Sequence, residues 1–208
     1  SILLEILLQT PSPVFSAPWN YTVTGMAVTD TTDVSGGNLL GSGGDEITYG
    51  ANWPFTCSVF GDTLTTGHVL SMNSNGFFRF DAFISLGARF GSIPTSNPLY
   101  GTFLSYGGNT DGATSTNVQT IISGTAPNRV WIWKFGYRTH LQDANAYKAT
   151  VEVRFYENTQ QIRLLFYNTS GSQHPANHIG INAGDGIFGS YLGYFPAQDT
   201  CFLFTPGV

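Results

Sequence analysis

Charge is what this 208-residue chain has least of. Lys, Arg, Asp and Glu make up 10% of it, against about 25% in an ordinary globular protein. The basic residues begin only at Arg79, so residues 1–78 carry six acidic side chains and no Lys or Arg. A net charge of −5 without a basic stretch excludes the electrostatic footprint of a nucleic-acid binder. Cysteine is nearly absent. Cys57 and Cys201 stand too far apart for metal-ligand spacing and read either as a candidate disulfide or as two buried thiols. No run of about 18 apolar residues occurs, so no helical membrane span is expected. The apolar start has no basic region before it and no small-residue cleavage site after it, so it is not a signal peptide. A chain that opens on Ser1 reads as a processed product. Helical periodicity is missing as well, with no long stretch of sustained three-to-four spacing.

What is present is apolar and turn-rich. Hydrophobic residues reach 41% and aromatics 14%, which excludes a disordered chain. A chain of this length buries about 70% of its unfolded surface and holds a core without metals or cross-links. Twenty-five Gly and ten Pro punctuate short β runs. The clearest run covers residues 147–156. Tyr147, Ala149, Val151, Val153 and Phe155 alternate with Lys148, Thr150, Glu152 and Arg154. Residues 157–160 turn the chain, and residues 161–167 place Ile162, Leu164 and Phe166 on one face. Val153 opposite Leu164 keeps the apolar sets together but sets Arg154 against Arg163. A shift of two puts Glu152 against Arg163, which is electrostatically better. Either register makes a hairpin with one face buried and Glu152 facing solvent. Residues 130–137 are apolar on both faces and predict a central strand. Further runs are residues 21–28, 55–60, 63–70, 76–80, 178–182 and 200–204, with long loops at 30–50 and 91–117. Many short strands and no helix predict an all-β, antiparallel sandwich of jelly-roll-like topology.

The first nine residues stand apart. Ile2, Leu3, Leu4, Ile6, Leu7 and Leu8 form an apolar arm, and Pro11 and Pro13 follow as a hinge. The chain therefore divides into an arm and hinge, residues 1–13, and one sandwich domain, residues 14–208. The arm reads as a strand of its own domain, as a segment that pairs with a neighbouring subunit by strand addition or as a short docked helix, or as the remnant of an incompletely processed leader. Burying six aliphatic side chains would contribute on the order of 10 kcal/mol before ordering costs.

Signals for chemistry are weak. The chain has no nucleophile elbow. His174 and His178 have i,i+4 spacing, but Pro175 breaks any shared helical face. Glu152 is the one carboxylate placed where a sandwich glycosidase could carry an acid, and pairing with Arg154 or Arg163 is the simpler reading. Asp30, Asp33, Asp45 and Glu46, with Asp111, are calcium candidates in Gly-rich loops, although none fits the EF-hand pattern. No other cofactor is expected. Asn20 and Asn168 begin glycosylation sequons. Tyr100, Phe103, Tyr106, Tyr191, Tyr194 and Phe195 could present rings to a glycan, although core packing is the simpler role.

Residues 55–80 run Phe-Thr-Cys-Ser-Val-Phe-Gly, then Val69-Leu-Ser-Met-Asn-Ser-Asn75-Gly76-Phe-Phe-Arg-Phe80. Together with residues 124–134, the Phe155-Tyr156-Glu157 strand end, residues 162–167 and His178-Ile-Gly-Ile-Asn-Ala-Gly184, this resembles nidogen-like extracellular domains and secreted bacterial β-sandwich modules. The resemblance covers roughly residues 50–185. It implies a non-catalytic module, secreted or at the cell surface. The leading expectation is a structural subunit of a filament or layer whose partners are copies of itself. The alternative is an adhesion module that binds glycans through its long loops.

Overall fold

The computed structural model describes residues 20–42, 44, 47–80, 103–107, 113–114, 117–138, 147–171, 178–183, 189–193, 196 and 198–207. Side chains are described for all of these except 103, 107, 113–114, 138, 178 and 189–193. The arm lies outside the described residues. The elements are all strands, in chain order β1 (Tyr21–Ala27), β2 (Asn38–Gly41), β3 (Thr48–Asn52), β4 (Cys57–Val59) and β5 (Asp62–Leu64). Next come β6 (Val69–Asn73), β7 (Phe77–Arg79), β8 (Phe103–Gly107), β9 (Ala113–Thr114), β10 (Val118–Ser123) and β11 (Val130–Arg138). The series ends with β12 (Lys148–Tyr156), β13 (Ile162–Ser170), β14 (His178–Asn182), β15 (Gly189–Gly193) and β16 (Thr200–Pro206).

Two antiparallel sheets make the sandwich. The larger has the order β1-β16-β13-β12-β11-β10-β2, with β9 also on β11, and the smaller runs β15-β14-β8-β7-β6-β3. β4 and β5 form a separate hairpin. Its Phe60-Gly61 loop has φ of 50° and 85°, the double positive φ of a type I′ turn. β10 to β13 follow one another as a meander of antiparallel neighbours. The first and last strands pair along their full length, from Tyr21↔Pro206 to Ala27↔Thr200, and close the chain on itself.

Alternation in β12 and β13 places Val151, Val153, Phe155, Ile162, Leu164 and Phe166 in the core, as the sequence pattern predicts. The register is Val153↔Leu164, so Arg154 does oppose Arg163. β11 is central, between β10 and β12, and Trp131, Trp133, Phe135 and Tyr137 all face inward. Aromatic contacts bind the two sheets. Phe78 of the smaller sheet meets Trp133 at 5.3 Å, Phe135 at 6.1 Å and Phe155 at 6.2 Å between ring centroids. Tyr106 meets Phe135 at 5.0 Å and Tyr137 at 5.5 Å. Trp53, just past β3, meets Trp131 at 5.2 Å and Phe155 at 5.1 Å. Its Nε1 donates to the carbonyl of Phe80 at 3.0 Å. Tyr106 is thus a core residue and not a surface ring.

Three expectations change. The 30–50 segment contains β2 and β3, and the 91–117 segment contains β8 and β9. Glycine here marks close packing rather than looseness: a Cβ on Gly37 would lie 2.4 Å from the Thr120 carbonyl oxygen. The run at 63–70 divides into β5 and β6. Between them Thr65 donates its N–H to His68 Nδ1 at 3.0 Å, so a turn interrupts the strand. The Asn75-Gly76 hairpin is present, with Gly76 at φ 108° and Asn73↔Phe77 closing a three-residue loop.

Because Phe78 is fully buried between both sheets, Phe78→Ala should destabilise by about 3–5 kcal/mol. Urea denaturation followed by tryptophan fluorescence measures this.

Candidate functional site

One-sided alternation in β12 and β13 would leave the outer face of the larger sheet in water, but the structure covers it. Leu165, Tyr167 and Cys201 form a small buried cluster there, with Val28 packed on it. β13 therefore carries large apolar residues on both faces, and residues 28–34 lie across the outer one as a strap. The polar side chains beneath the strap form one network. Glu152 is fully buried. Its carboxylate accepts from Thr32 N at 3.1 Å, Thr32 Oγ1 at 2.6 Å, Arg154 Nε at 2.6 Å and Tyr167 OH at 3.3 Å. Arg154 reaches from Glu152 to Asp30, donating to its Oδ2 at 2.5 Å and its carbonyl at 3.1 Å. Lys134 donates to the Thr32 carbonyl at 2.5 Å and lies 5.7 Å from the Tyr167 ring centroid. Opposite Arg154, Arg163 turns its guanidinium over the Tyr156 ring at 5.3 Å. This removes the like-charge conflict that favours the other register. Two carboxylates hold Arg154, and a ring face takes Arg163.

The electrostatics follow. Burial works against the charge on Arg154, but the hydrogen bonds it donates to Asp30 and Glu152 outweigh it and hold its pKa above the usual value. The hydrogen bond from Arg154 holds Asp30 below the ordinary carboxylate range. Burial pushes the Tyr167 hydroxyl up. A second pair, Arg129 with Glu157, is bidentate at 2.8 and 2.6 Å, and Arg129 also packs on the Phe55 ring at 5.4 Å. The Arg129 hydrogen bond lowers the Glu157 carboxyl.

Two open depressions border these elements. One, of 370 Å³, is polar and lies beside the strap, lined among others by Asp33, Asn117, Gln119, Lys134 and Thr150. The other, of 290 Å³, lies where β2 and β3 bring the sheet edges together. Leu40, Ala51, Pro54, Ile121, Ile122 and Trp131 supply its apolar lining, and Gly36, Gly37, Asn38, Asn52 and Thr120 its polar part. Ile122 is 48% exposed there, and Leu39 on the neighbouring face of β2 is 58% exposed.

The candidate residues named above do not converge. Asp30 bonds Arg154, whereas Asp33 accepts from Ser35 N at 2.9 Å and Ser35 Oγ at 3.0 Å. Asp45, Glu46 and Asp111 lie outside the described residues, as do His140, His174, Tyr100, Tyr194, Phe195 and the arm residues Ile2, Leu3, Leu4, Ile6, Leu7 and Leu8. Among the described residues no three His, Cys, Asp or Glu side chains cluster to hold a metal. The disulfide candidate is not formed: Cys57 and Cys201 are free thiols. Cys57 belongs to the inter-sheet core and Cys201 to the cluster under the strap, on opposite faces of the larger sheet. Burial pushes the Cys57 thiol up to about 12. Both sequon asparagines, Asn20 and Asn168, are exposed. Glu152 is buried rather than solvent-facing. The pair Leu165 and Tyr167, apolar at positions that a one-sided hairpin would leave polar, is the sequence signal for the strap.

These features define the class: an antiparallel β-sandwich with one outer face strapped by its own chain over a buried ion network. The particular family is the NIDO-related one, to which the chain belongs, its family model matching residues 20–203. The match reaches beyond residues 50–185 at both ends and takes in the strap, β1 and the first four residues of β16. No curated protein and no solved structure matches the chain.

Removing Glu152 leaves Arg154 Nε, the Thr32 N–H and hydroxyl, and the Tyr167 hydroxyl without their buried acceptor, so Glu152→Ala should cost about 3–5 kcal/mol although Asp30 still holds Arg154. Asp30→Asn, at a carboxylate 58% exposed, should cost less than about 1 kcal/mol. Equilibrium unfolding of the two variants tests the contrast. Asp30 and Glu157 both have lowered folded pKa values. Their stabilisation is complete above the unfolded carboxylate range of about 4 and is lost as pH falls through the lower folded values. Urea midpoints taken on descending pH should drop below about pH 4, and Glu157→Gln should flatten part of that drop.

Proposed function

We propose that the protein is a non-catalytic extracellular module, a structural subunit that assembles with copies of itself through contacts including its apolar N-terminal segment. The observation that carries the reading is the disposition of charge. Asp30, Glu152, Arg154, Lys134, Arg129 and Glu157 are all engaged in internal bonds. The exposed positions among the described residues are rich in Ser, Thr, Asn and Gly, so few ions need desolvating against another protein surface. Glu152, the residue best placed for acid catalysis, has both oxygens occupied by donors. Membership of the NIDO-related family supports an extracellular setting. The chain has no described helix long and apolar enough to cross a membrane.

A second reading, glycan binding, is favoured by the 370 Å³ polar depression, where Asn117, Gln119 and Thr150 present amides and a hydroxyl beside the Asp33 carboxylate. It predicts a monomer that retains glycans on an array and loses them with Gln119→Ala.

Under the assembly reading, deleting residues 1–9 leaves a folded monomer, whereas the whole chain sediments as a polymer visible by negative stain. A clean monomer of the whole chain at high concentration overturns the reading.

A further inference from the structure

From the placement of the two sheet edges we infer that the depression between β2 and β3 is an acceptor groove for the apolar arm, residues 2–8, of a second copy of this chain. The inference rests on the assembly reading and names the receiving site.

The topology sets the geometry. The described chain starts at Asn20, immediately before β1, at one edge of the larger sheet. The groove lies at the opposite edge, at β2, with β16, β13, β12, β11 and β10 between. Six strand spacings of about 4.8 Å put these edges roughly 29 Å apart. An arm leaving one edge and a receptor at the other make a heterologous, head-to-tail contact, which propagates into an open polymer rather than closing a two-fold dimer.

The lining fits a strand. A cavity of ~150 Å³ takes one benzene, so 290 Å³ holds about two aliphatic side chains. Ile121, Ile122, Leu40 and Trp131 provide the apolar walls. Alternate arm residues such as Leu4 and Ile6 would share one face of an extended segment. Asn38, Asn52 and the Gly36-Gly37 backbone supply polar partners for its main chain. Among the described residues β2 is an edge strand paired only with β10, the placement that strand addition uses. Two glycines shape the entrance. Gly37 lets the chain pass against the Thr120 carbonyl, whereas a Cβ on Gly36 meets nothing within 4 Å. Gly36, exposed on the groove's lining, therefore has open space for an added side chain.

The decisive experiment mixes two crippled forms. One lacks residues 1–9 but keeps its groove. The other keeps its arm but carries Ile122→Asp, or Gly36→Trp as an independent steric plug. Both substitutions fall where side chains are exposed or space is open, and circular dichroism checks that each variant is folded. Each form alone should sediment as a monomer. Their equimolar mixture should give a species of twice the monomer mass that grows no further, because one arm meets one groove. If the plugged variants still polymerise while the arm-deleted form does not, the groove is not the acceptor and the assembly reading stands without it. The groove is likewise ruled out if both forms are monomeric and the mixture does not associate. If the arm-deleted form polymerises like the whole chain, or the whole chain is monomeric, the assembly reading itself fails.

Discussion

The aromatic seam between the sheets sets everything else. Trp53, Phe78 and Tyr106 from the smaller sheet interlock with Trp131, Trp133, Phe135, Tyr137 and Phe155 from the larger, at ring distances of 5.0–6.2 Å. Rings of this size contribute through buried area and through edge-to-face geometry, which adds about 0.5–1.5 kcal/mol per pair. The geometry also fixes how far apart the sheets stand and how they turn. Trp131 ends the seam at the β2/β3 edge, so the floor of the edge groove is the last ring of the core. A looser seam would leave that groove without a defined shape.

A second constraint follows from the first. With its inner face filled by rings, the larger sheet still carries Leu165, Tyr167 and Cys201 outside. Those residues require a cover, and the strap that provides it takes Glu152 and Arg154 out of water. Buried charges are tolerated only when paired and hydrogen-bonded. The Asp30–Arg154–Glu152–Thr32 chain meets that condition, with Lys134 closing on the strap backbone. Among the described residues Glu152, Arg154, Lys134, Arg129 and Glu157 are held in internal bonds, whereas Asp33, Asp62, Lys148 and Asp199 stay exposed.

The parts of the fold visible in the sequence are those where one rule decides. β12, β13 and β11 declare themselves through alternation or continuous apolarity, and the core positions of β12 and β13 follow directly. The strands that escape notice are β2, β3, β8, β9, β10 and β15. Their sequences are Gly-, Ser- and Thr-rich, and such residues enter strands only where a neighbour approaches closely, as Thr120 does at Gly37. The Arg154↔Arg163 register defeats a pairwise charge argument, because the compensating groups, Asp30 and the Tyr156 ring, come from the strap and from an aromatic neighbour. The site suffers likewise. Glu152 stands out as an isolated acid on a strand, but its burial depends on a segment 120 residues earlier in the chain.

Taken alone, the sequence determines an all-β sandwich, a NIDO-type strand pattern and an apolar segment ahead of it, because periodicity, turn residues and composition are local properties. Tertiary structure alone decides that the outer face is strapped, that Cys57 and Cys201 lie on opposite sides of one sheet, and that a groove opens at the edge farthest from the start of β1. Those facts depend on which distant strands become neighbours. The low charge that marks the sequence from the outset gains a place only there, once Arg154 is seen to pair with Asp30 and Glu152, and Arg129 with Glu157.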